Sequence, residues 1–421
     1  MSNTVPSPQD AYIHGRLINL VRTGRAVTRP ALAQETGLGR KLVAQRVQQA
    51  IDAGLLEDGD LAPSGGGRPS RRLRFRVDAG HVFAGLVSAT EMTAAVAALD
   101  GTLLASCHQE CDAAEGPDAT LEVLDGLFAR LAHKTRTEPW AFGIGVGGPV
   151  DFSTGRLVAP PIMPGWHGYS VRSWLRERYD APAWVDNDVN LMALGEWHKG
   201  EPNDGRDLLY IYLDQGIGAG LVSRGQVFRG DTGAAGDIGH VQVTEDPDVV
   251  CRCGRRGCLE AAAGGWGLIR ELTARADESP FLAARLAEQG ELIAQDIGQA
   301  AMAGDPVASE AVLRAARMVG LTSASLVNFA NPGTVVLGGG AIRIGESVFR
   351  MFDDTIRART SELAGQRLRI RTASLDFQEG VIGAAILAIE HLFGPAAIGL
   401  WIENGTPLGH AAPLQRAANN D

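Results

Sequence analysis

The sequence predicts a small helix-turn-helix module fused to a larger α/β body. Residues 11–54 repeat apolar side chains at helical spacing, in segments that end at glycines. From about residue 77 the pattern changes to short β-rich runs. Residues 1–76 carry twelve Lys and Arg against six Asp and Glu, whereas residues 77–421 carry 27 against 43. A basic front end on an acidic body is typical of a nucleic-acid-binding module joined to an effector domain, and 421 residues suffice for two or three domains.

The front module consists of three predicted helices. The first keeps its apolar residues on one face and stops at Gly24. Thr28 can cap the second, which tolerates Pro30 in its first turn and ends at Gly37. The third ends at Gly54. Two short helices joined by a glycine-containing turn, behind a supporting helix, indicate a helix-turn-helix.

The third helix offers long polar side chains on the face opposite its apolar stripe. They are Arg40, Lys41, Gln45, Arg46 and Gln48, of which the first four are predicted to contact DNA. Such side chains can reach phosphates and base edges in a major groove. Arg68, in a glycine-rich run after the module, can enter a minor groove, or the arginines near it can simply hold phosphates. The alternative is a helical bundle with a solvated basic face, but helix order, turn glycine and charge favour DNA binding.

The chain shows no sign of export or membrane insertion. Its start, MSNTVPSPQD, has no basic segment followed by an apolar run, and the apolar run at 381–389 is too short to span a bilayer. We therefore expect a cytoplasmic protein with reduced cysteines. Two of the five cysteines, Cys107 and Cys111, are interpreted as ordinary packing residues.

The other three cysteines share a short region with a histidine. The four residues are His240, Cys251, Cys253 and Cys258. Three thiolates and one imidazole complete the ligand set of a closed tetrahedral zinc site. A disulfide is less favoured because nothing indicates an oxidising compartment, and small buried residues are the remaining alternative. Since no ligand position is left for water, we expect a structural zinc that holds the loop in place. The loop also carries the carboxylates of Asp237 and Glu260, and such a loop suits recognition of a hydroxylated small molecule.

The residues around these cysteines resemble a family signature. GDIGH at 236–240 and CRCGRRGCLE at 251–260 are similar to the GEIGH and CxCGxxGCxE patterns of the ROK family, which comprises bacterial sugar kinases and sugar-responsive transcription regulators. Asp237 is one methylene shorter than the family residue. The front module and GGGRPS at 65–70 resemble the winged helix-turn-helix and linker of ROK repressors. The likeness runs from about residue 11 to 395.

The resemblance implies a winged helix-turn-helix fused to a two-lobed α/β domain of the actin-like ATPase, ribonuclease H-like fold. A β-β-β-α-β order is expected to begin near residue 81 and to repeat from about residue 208. The expected divisions are a winged helix-turn-helix at 1–62, wing and linker at 63–76, lobe 1 at 77–193 with a return helix at 381–394, lobe 2 with the zinc loop at 194–380, and a polar, loose C-terminal tail at 395–421.

Two phosphate-binding motifs of the ROK kinases are altered. Residues 86–90 match the DxGxT loop that holds magnesium and ATP phosphates, but Leu86 replaces its aspartate and Ser88 its glycine. Leucine cannot bind a hard cation. Asp214 and Gln215 replace the Gly-Thr pair of the second loop, and a carboxylate there repels phosphate. We therefore expect no efficient phosphoryl transfer. The glycines at 338–340 can cradle a nucleotide or form a tight turn, and the turn is preferred.

The sugar side of the family pattern is better preserved. By resemblance, Asp188 matches the general base of the kinases and Asn187 the residue that holds sugar hydroxyls, with Asp237, His240 and Glu260 completing the pocket. A strand-end turn is the alternative interpretation of Asn187 and Asp188. His240 is expected to bind zinc through one ring nitrogen and a ligand through the other.

Two functions are consistent with these patterns. The first is a sugar-responsive transcription regulator, a repressor of carbohydrate metabolism genes, that binds a palindromic operator as a homodimer or homotetramer. The second is an ATP-dependent sugar kinase with an added front module. Asp188 supports the kinase, whereas Leu86, Ser88 and Asp214 oppose it. The pattern is consistent with glucose, xylose, N-acetylated sugars or sugar phosphates as effectors, and with a sugar that either releases or promotes DNA binding.

Overall fold

The computed structural model describes residues 8–62 and 70–418. Its front module is a winged helix-turn-helix. The elements are α1 (Pro8–Arg22), α2 (Arg29–Thr36), α3 (Arg40–Asp52), β1 (Leu56–Leu61) and β2 (Arg71–Phe75). Thr28 caps α2 by accepting the Ala31 N–H at 3.2 Å, and Gly37 ends it in the left-handed region at φ 71°. β1 and β2 pair antiparallel to form the wing, whose connecting stretch with Arg68 lies outside the described residues.

Lobe 1 is built on a five-stranded sheet. Its elements are β3 (His81–Val87), β4 (Glu91–Ala98), β5 (Leu103–Glu110), α4 (Pro117–Thr135), β6 (Pro139–Val146), β7 (Val150–Asp151), β8 (Arg156–Leu157), α5 (Val171–Arg178), β9 (Ala183–Asn187) and α6 (Asp188–Lys199). The strand order is β5-β4-β3-β6-β9. The first three strands form an antiparallel meander, and β3, β6 and β9 are parallel.

Lobe 2 repeats this topology. Its elements are β10 (Leu208–Leu213), β11 (Ile217–Ser223), β12 (Gln226–Val227), α7 (Leu259–Ala263), α8 (Gly265–Ala274), α9 (Pro280–Gln289), α10 (Ala294–Met302), α11 (Pro306–Ala330), β13 (Thr334–Gly338), α12 (Glu346–Arg359), α13 (Glu362–Gly365) and β14 (Arg369–Thr372). The strand order is β12-β11-β10-β13-β14, again a meander continued by parallel strands. The predicted fold class, including the internal repeat, is confirmed.

The two lobes meet along a pair of helices. α6 runs unbroken from Asp188 to Lys199, so the boundary expected between residues 193 and 194 would cut a hydrogen-bonded helix. The chain passes to the second sheet only after Lys199. The return helix, α14 (Glu379–Leu392), packs along α6 and onto β3 and β6, while α6 also contacts β10 and β11. These two helices therefore lie between the sheets.

The segment after residue 394 is not the loose tail expected. It forms α15 (Pro395–Ile398), a short 3₁₀ turn and α16 (Ala411–Ala418), and α15 packs on α1 of the front module. Trp401 is fully buried, with edge-to-face contacts to Trp140 and Phe393 at centroid separations of 5.6 and 5.3 Å. The apolar side chains of Ile398, Trp401, Ile402 and Leu414 in this segment are buried. One hydrophobic core therefore extends from the front module through this segment into lobe 1.

The helices in the described part of the chain do not combine the length and apolar character that a bilayer crossing requires.

Candidate functional site

A cleft of about 630 Å³ opens between the lobes. It lies where the parallel strands of both sheets end, which is the usual ligand position in α/β folds. Its lining includes Ser88–Glu91, Gly147, Gly148, Asn187, Asp188, Tyr212, Asp214–Ala219, Asp237, His240, Arg252, Glu260 and Trp266. All five residues predicted for the sugar site are among them. The structure thus brings together residues that are up to 73 positions apart, from Asn187 to Glu260.

Asn187 and Asp188 join the end of β9 to the start of α6. The side-chain oxygen Oδ1 of Asn187 caps α6 by accepting the N–H groups of Val189 and Asn190 at 3.0 and 3.2 Å. Its amide group donates to the Gly148 carbonyl at 3.0 Å and to Asp188 Oδ1 at 2.9 Å. Asn187 is therefore engaged with its own surroundings, and its direct effect is to orient the Asp188 carboxylate.

Asp188 is the carboxylate at the base of the cleft. Burial raises its pKa to about 7, against the opposing effect of hydrogen bonds from the Val189 N–H and Asn187, with nearby Asp186 adding to the rise. A carboxylate with this pKa can accept a proton from, or share one with, a bound hydroxyl near neutral pH. Asp186 is itself tied to Arg229 by a buried ion pair of 2.7 Å, which fixes the strand end below Asp188.

The cysteine loop folds so that its donors converge. The nitrogen and sulfur donor atoms of His240, Cys251, Cys253 and Cys258 lie within 4.8 Å of one another. Gly257 makes this possible, since it adopts φ 71° and a side chain there would overlap the Thr244 carbonyl. The loop is anchored further by backbone bonds between Val243 and Gly257 and between Cys251 and Arg255.

The donor spacing fits a tetrahedral zinc ion. Zn–S bonds of about 2.3 Å and Zn–N bonds of about 2.0–2.1 Å place two sulfurs about 3.8 Å apart and a nitrogen and a sulfur about 3.6 Å apart. The Sγ atoms of Cys253 and Cys258 are 3.8 Å apart, and His240 Nδ1 is 3.6 Å from Cys251 Sγ. His240 therefore presents Nδ1 to the cluster and Nε2 to the cleft, where Asp237 Oδ1 lies 4.0 Å away.

Glu260 and Trp266 form the wall beside the cluster. Glu260 follows Cys258 in the first turn of α7 and is buried. Its carboxylate accepts the Ile217 N–H at 3.1 Å and the Trp266 Nε1–H at 3.3 Å. Arg252, between two of the cysteines, has its guanidinium carbon 4.6 Å from the Trp266 ring centroid. Sequence reasoning did not identify Arg252 or Trp266, since no local pattern shows that the two meet.

The two segments predicted to match the phosphate loops of the kinases contain internal hydrogen bonds. Asp214 accepts the Gln215 N–H at 2.9 Å and, across the cleft base, the Gly340 N–H at 3.2 Å. In the first loop, the backbone N–H and the hydroxyl of Ser88 both donate to the Glu91 carbonyl, at 2.9 and 3.0 Å. The backbone N–H groups of Ser88, Gln215 and Gly340 are thus already bonded within the chain. Gly340 opens a 3₁₀ turn after β13, as the turn interpretation predicts.

Leu86, which the sequence comparison predicts to stand where the kinases have a metal-binding aspartate, is an apolar packing residue. A β-carbon added at Gly145 or Gly380 would lie 2.5 or 2.7 Å from a Leu86 methyl carbon, so its side chain sits directly against β6 and the start of α14. It offers no oxygen for a cation.

On the front module, α3 exposes three of the four predicted DNA-contacting side chains. Arg40, Lys41 and Gln45 point to solvent, and Gly39 begins the helix without a side-chain cap. Arg46 differs from the expectation: it is about 13% exposed and turned towards α1, where it pairs with Asp10 and donates to Gln49 at 3.0 Å. The α3 surface that is open to a duplex is therefore narrower than the helical pattern predicts.

The wing contributes a partly neutralised surface. Arg74 pairs with Asp60 at 2.7 Å and Arg29 with Asp58 at 2.6 Å, whereas Arg71 and Arg72 are exposed at the start of β2. Among the described residues of the front module, the cations without an ion pair are therefore Arg16 of α1, Arg40 and Lys41 of α3, and Arg71 and Arg72 of β2.

Comparisons with known proteins agree with this architecture. The ROK family model matches residues 86–391. A glucokinase from Halalkalibacterium halodurans is 33% identical over 272 residues, 64% of this chain and 82% of the relative. A xylose repressor from Caldicellulosiruptor bescii is 26% identical over 382 residues, 89% of this chain and 95% of the relative.

Among solved structures, a ROK family transcriptional regulator described as a homologue of the E. coli Mlc protein covers 94% of this chain and 100% of its own, with a TM-score of 0.78 at 23% identity. A Streptomyces griseus glucokinase in complex with glucose and AMPPNP covers 73% and 99%, with a TM-score of 0.65 at 27% identity. The family match spans well over half of the sequence, and the chain belongs to the ROK family.

Proposed function

We propose that this chain is a sugar-responsive transcription regulator, a repressor that binds operator DNA through its front module. The observation that carries the proposal is the hydrophobic core shared by that module, the C-terminal segment and lobe 1. It leaves α3 exposed on one side and joins α1 firmly to the lobe that holds Asp188. The match to a xylose repressor over 89% of this chain supports the same function.

The DNA contact is assigned to the first two turns of α3. Arg40 and Lys41 are exposed in the first turn and Gln45 is exposed in the next turn, and the positive end of the helix dipole adds to the attraction for phosphate. Gln45 has the amide geometry that reads adenine in a major groove. Arg71 and Arg72 are placed to bind phosphates, and Arg68 is proposed to reach the minor groove from the wing. A dimer or tetramer would present paired α3 helices to a palindromic operator.

The effector is proposed to be a sugar or sugar derivative bound in the cleft. Asp188, Asp237 and Glu260 supply acceptors for hydroxyl groups, and His240 Nε2 faces the same space. Asn187 acts by orienting Asp188. The cysteine cluster is proposed to hold a structural zinc, because its donor spacing fits that ion and the loop between its ligands forms one wall. Zinc supplies no chemistry here; it keeps the wall in place.

A physical route links the cleft to the front module. α6 begins at Asp188 and packs along α14. Near the start of α14, the buried Glu379 carboxylate accepts the Tyr210 hydroxyl of lobe 2 at 2.7 Å. Near its end, Glu390 pairs with Arg22 of α1 at 2.8 Å. A sugar that binds the closed arrangement of the lobes more tightly than the open one would shift α14, and with it α1.

The chain is proposed not to transfer phosphate. The carboxylate of Asp214 already takes the Gly340 N–H, and its charge repels a triphosphate at the same place. Leu86 removes the metal ligand. The second candidate function, an ATP-dependent sugar kinase, is favoured by the neutral-range pKa of Asp188 and by the 33% identical glucokinase.

The test uses the full-length protein. Binding sequences are selected from a random duplex library, and complexes are then measured with and without each sugar of a hexose and pentose panel. We expect a salt-sensitive, sequence-selective complex whose affinity one sugar changes by about 5–150-fold. The double variant Arg40→Ala, Lys41→Ala should abolish it, whereas Arg350→Ala, an exposed arginine of α12, should not. Sugar phosphorylation at about 1–100 s⁻¹ with ATP would establish the kinase instead.

A further inference from the structure

Arg252 is the one lysine or arginine among the described residues that line the cleft. It lies on the cysteine loop, between Cys251 and Cys253, and its guanidinium is held over the ring of Trp266. Among the described residues, no carboxylate lies within ion-pairing distance of it. Arg252 is exposed, so its guanidinium is open to solvent and to the cleft, and stacking on Trp266 rather than an ion pair holds it in position.

A second arginine on the same ring shows the difference. The Arg270 guanidinium carbon is 5.1 Å from the Trp266 centroid, but its nitrogens donate to the Val250 carbonyl at 2.8 Å and the Ala261 carbonyl at 3.2 Å. Arg270 is therefore used to hold the loop. Arg252 keeps its N–H donors available, and stacking on the indole limits its motion before any ligand arrives.

The carboxylates of the cleft are mostly engaged by the protein. Asp214 takes two backbone N–H groups, and Glu260 takes the Ile217 N–H and the Trp266 indole N–H. Asp188 takes the Val189 N–H and the Asn187 amide. These hydrogen bonds hold the three carboxylates in place but leave their charges, so an anionic group can be bound only beside Arg252, the one cation among the described lining residues.

We propose that the effector carries an anionic substituent, a phosphate or a carboxylate, which Arg252 binds through its forked N–H donors. The inference rests on the proposed sugar site in the same cleft and narrows its ligand class: the sugar ring contacts Asp188 and the zinc-side wall, and the anionic group contacts Arg252. Trp266 acts as a positioning residue, because it holds the guanidinium rather than the ligand.

The experiment is calorimetric titration of the zinc-loaded, full-length protein with matched sets of sugars. Glucose, mannose, galactose and N-acetylglucosamine are each offered neutral and 6-phosphorylated, the first three also as their uronic acids, and inorganic phosphate is titrated alone. The protein is compared with Arg252→Met, Arg252→Lys and the control Arg256→Met, an exposed arginine of the same loop that does not line the cleft. Zinc content is measured for every variant, so that loss of the loop is distinguished from loss of the charge.

We expect one anionic sugar to bind at least tenfold more tightly than its neutral counterpart, and a phosphate-only or carboxylate-only preference identifies the group. Arg252→Met should erase that preference at unchanged zinc content and leave the neutral sugar's affinity intact, while Arg252→Lys keeps part of it. Equal affinity for neutral and anionic sugars, a preference that survives in Arg252→Met, or tight binding of phosphate alone would overturn the inference. Failure of every sugar to bind the native protein would instead overturn the sugar site itself.

Discussion

Replacing Asp188 by asparagine should stabilise the protein, and more so at pH 8 than at pH 5. Burial raises the pKa of this carboxyl from 3.8 to about 7, so the native state holds the proton more tightly than the unfolded chain does. The free energy of unfolding therefore falls as the pH rises from about 4 to about 7. Above about pH 7 the carboxyl is ionised in the native state too, and the full free-energy cost of burying its charge is present. Asparagine carries no charge at any pH, and its carbonyl can still accept the Val189 N–H.

The magnitude follows from the shift. About three pKa units correspond to about 4 kcal/mol, of which about 2–3 kcal/mol is lost between pH 5 and pH 7. Because Asp188 faces an open cleft in which solvent screens its charge, we expect about half of this, about 1–2 kcal/mol, as the extra stabilisation of Asp188→Asn at pH 8 relative to pH 5. The same change should abolish sugar binding, since an amide replaces the carboxylate acceptor.

Urea denaturation of native and variant protein at the two pH values, followed by tryptophan fluorescence, measures this difference. Asp180→Asn is the control, because Asp180 is exposed and loses no hydration on folding. A stability difference between Asp188→Asn and native protein that is the same at pH 5 and pH 8, or that favours the native protein more at pH 8, would refute the reasoning.

Three further predictions concern the core, the metal loop and the phosphate loop. Trp401→Ala removes a fully buried indole and its 3.1 Å bond to the Leu392 carbonyl, and should cost about 3–5 kcal/mol in thermal unfolding while uncoupling DNA affinity from sugar; an unchanged melting temperature would contradict this. Cys253→Ser should lose zinc and the sugar response together but keep DNA binding, and metal analysis that finds full zinc stoichiometry would count against the site. Asp214→Gly frees the Gly340 N–H and removes a charge, so nucleotide affinity should rise in fluorescence titrations without any turnover, since Leu86 still provides no metal ligand; an unaltered affinity would show that Asp214 does not block the loop.

The features that the sequence predicted correctly depend on local spacing. The β-β-β-α-β order appears twice as expected, because alternation and turn residues mark each strand. The convergence of the cysteines was predictable because eight positions with two glycines leave the backbone few other arrangements. Asp188 lines the cleft because the end of β9 is followed directly by α6, whose first residue is Asp188, and its role in sugar binding stays a prediction.

The features that were missed depend on contacts between distant segments. Arg46 follows Gln45 directly, yet the turn of about 100° per residue in a helix brings it against Asp10 of α1 instead of leaving it exposed. The composition of residues 395–418 suggested a tail, and only the burial of Trp401 between the front module and lobe 1 shows otherwise. Arg252 had no visible role because its stacking partner, Trp266, lies fourteen positions later on another element.

The position of Trp401 also bears on how the protein matures. The front module is synthesised before the two lobes, but the surface on which α1 rests is completed only when α15 has left the ribosome. A nascent chain therefore exposes the side of α1 that packs on α15 throughout synthesis of both lobes, and a premature stop shortly before α15 would release a nearly full-length product whose front module lacks this docking surface.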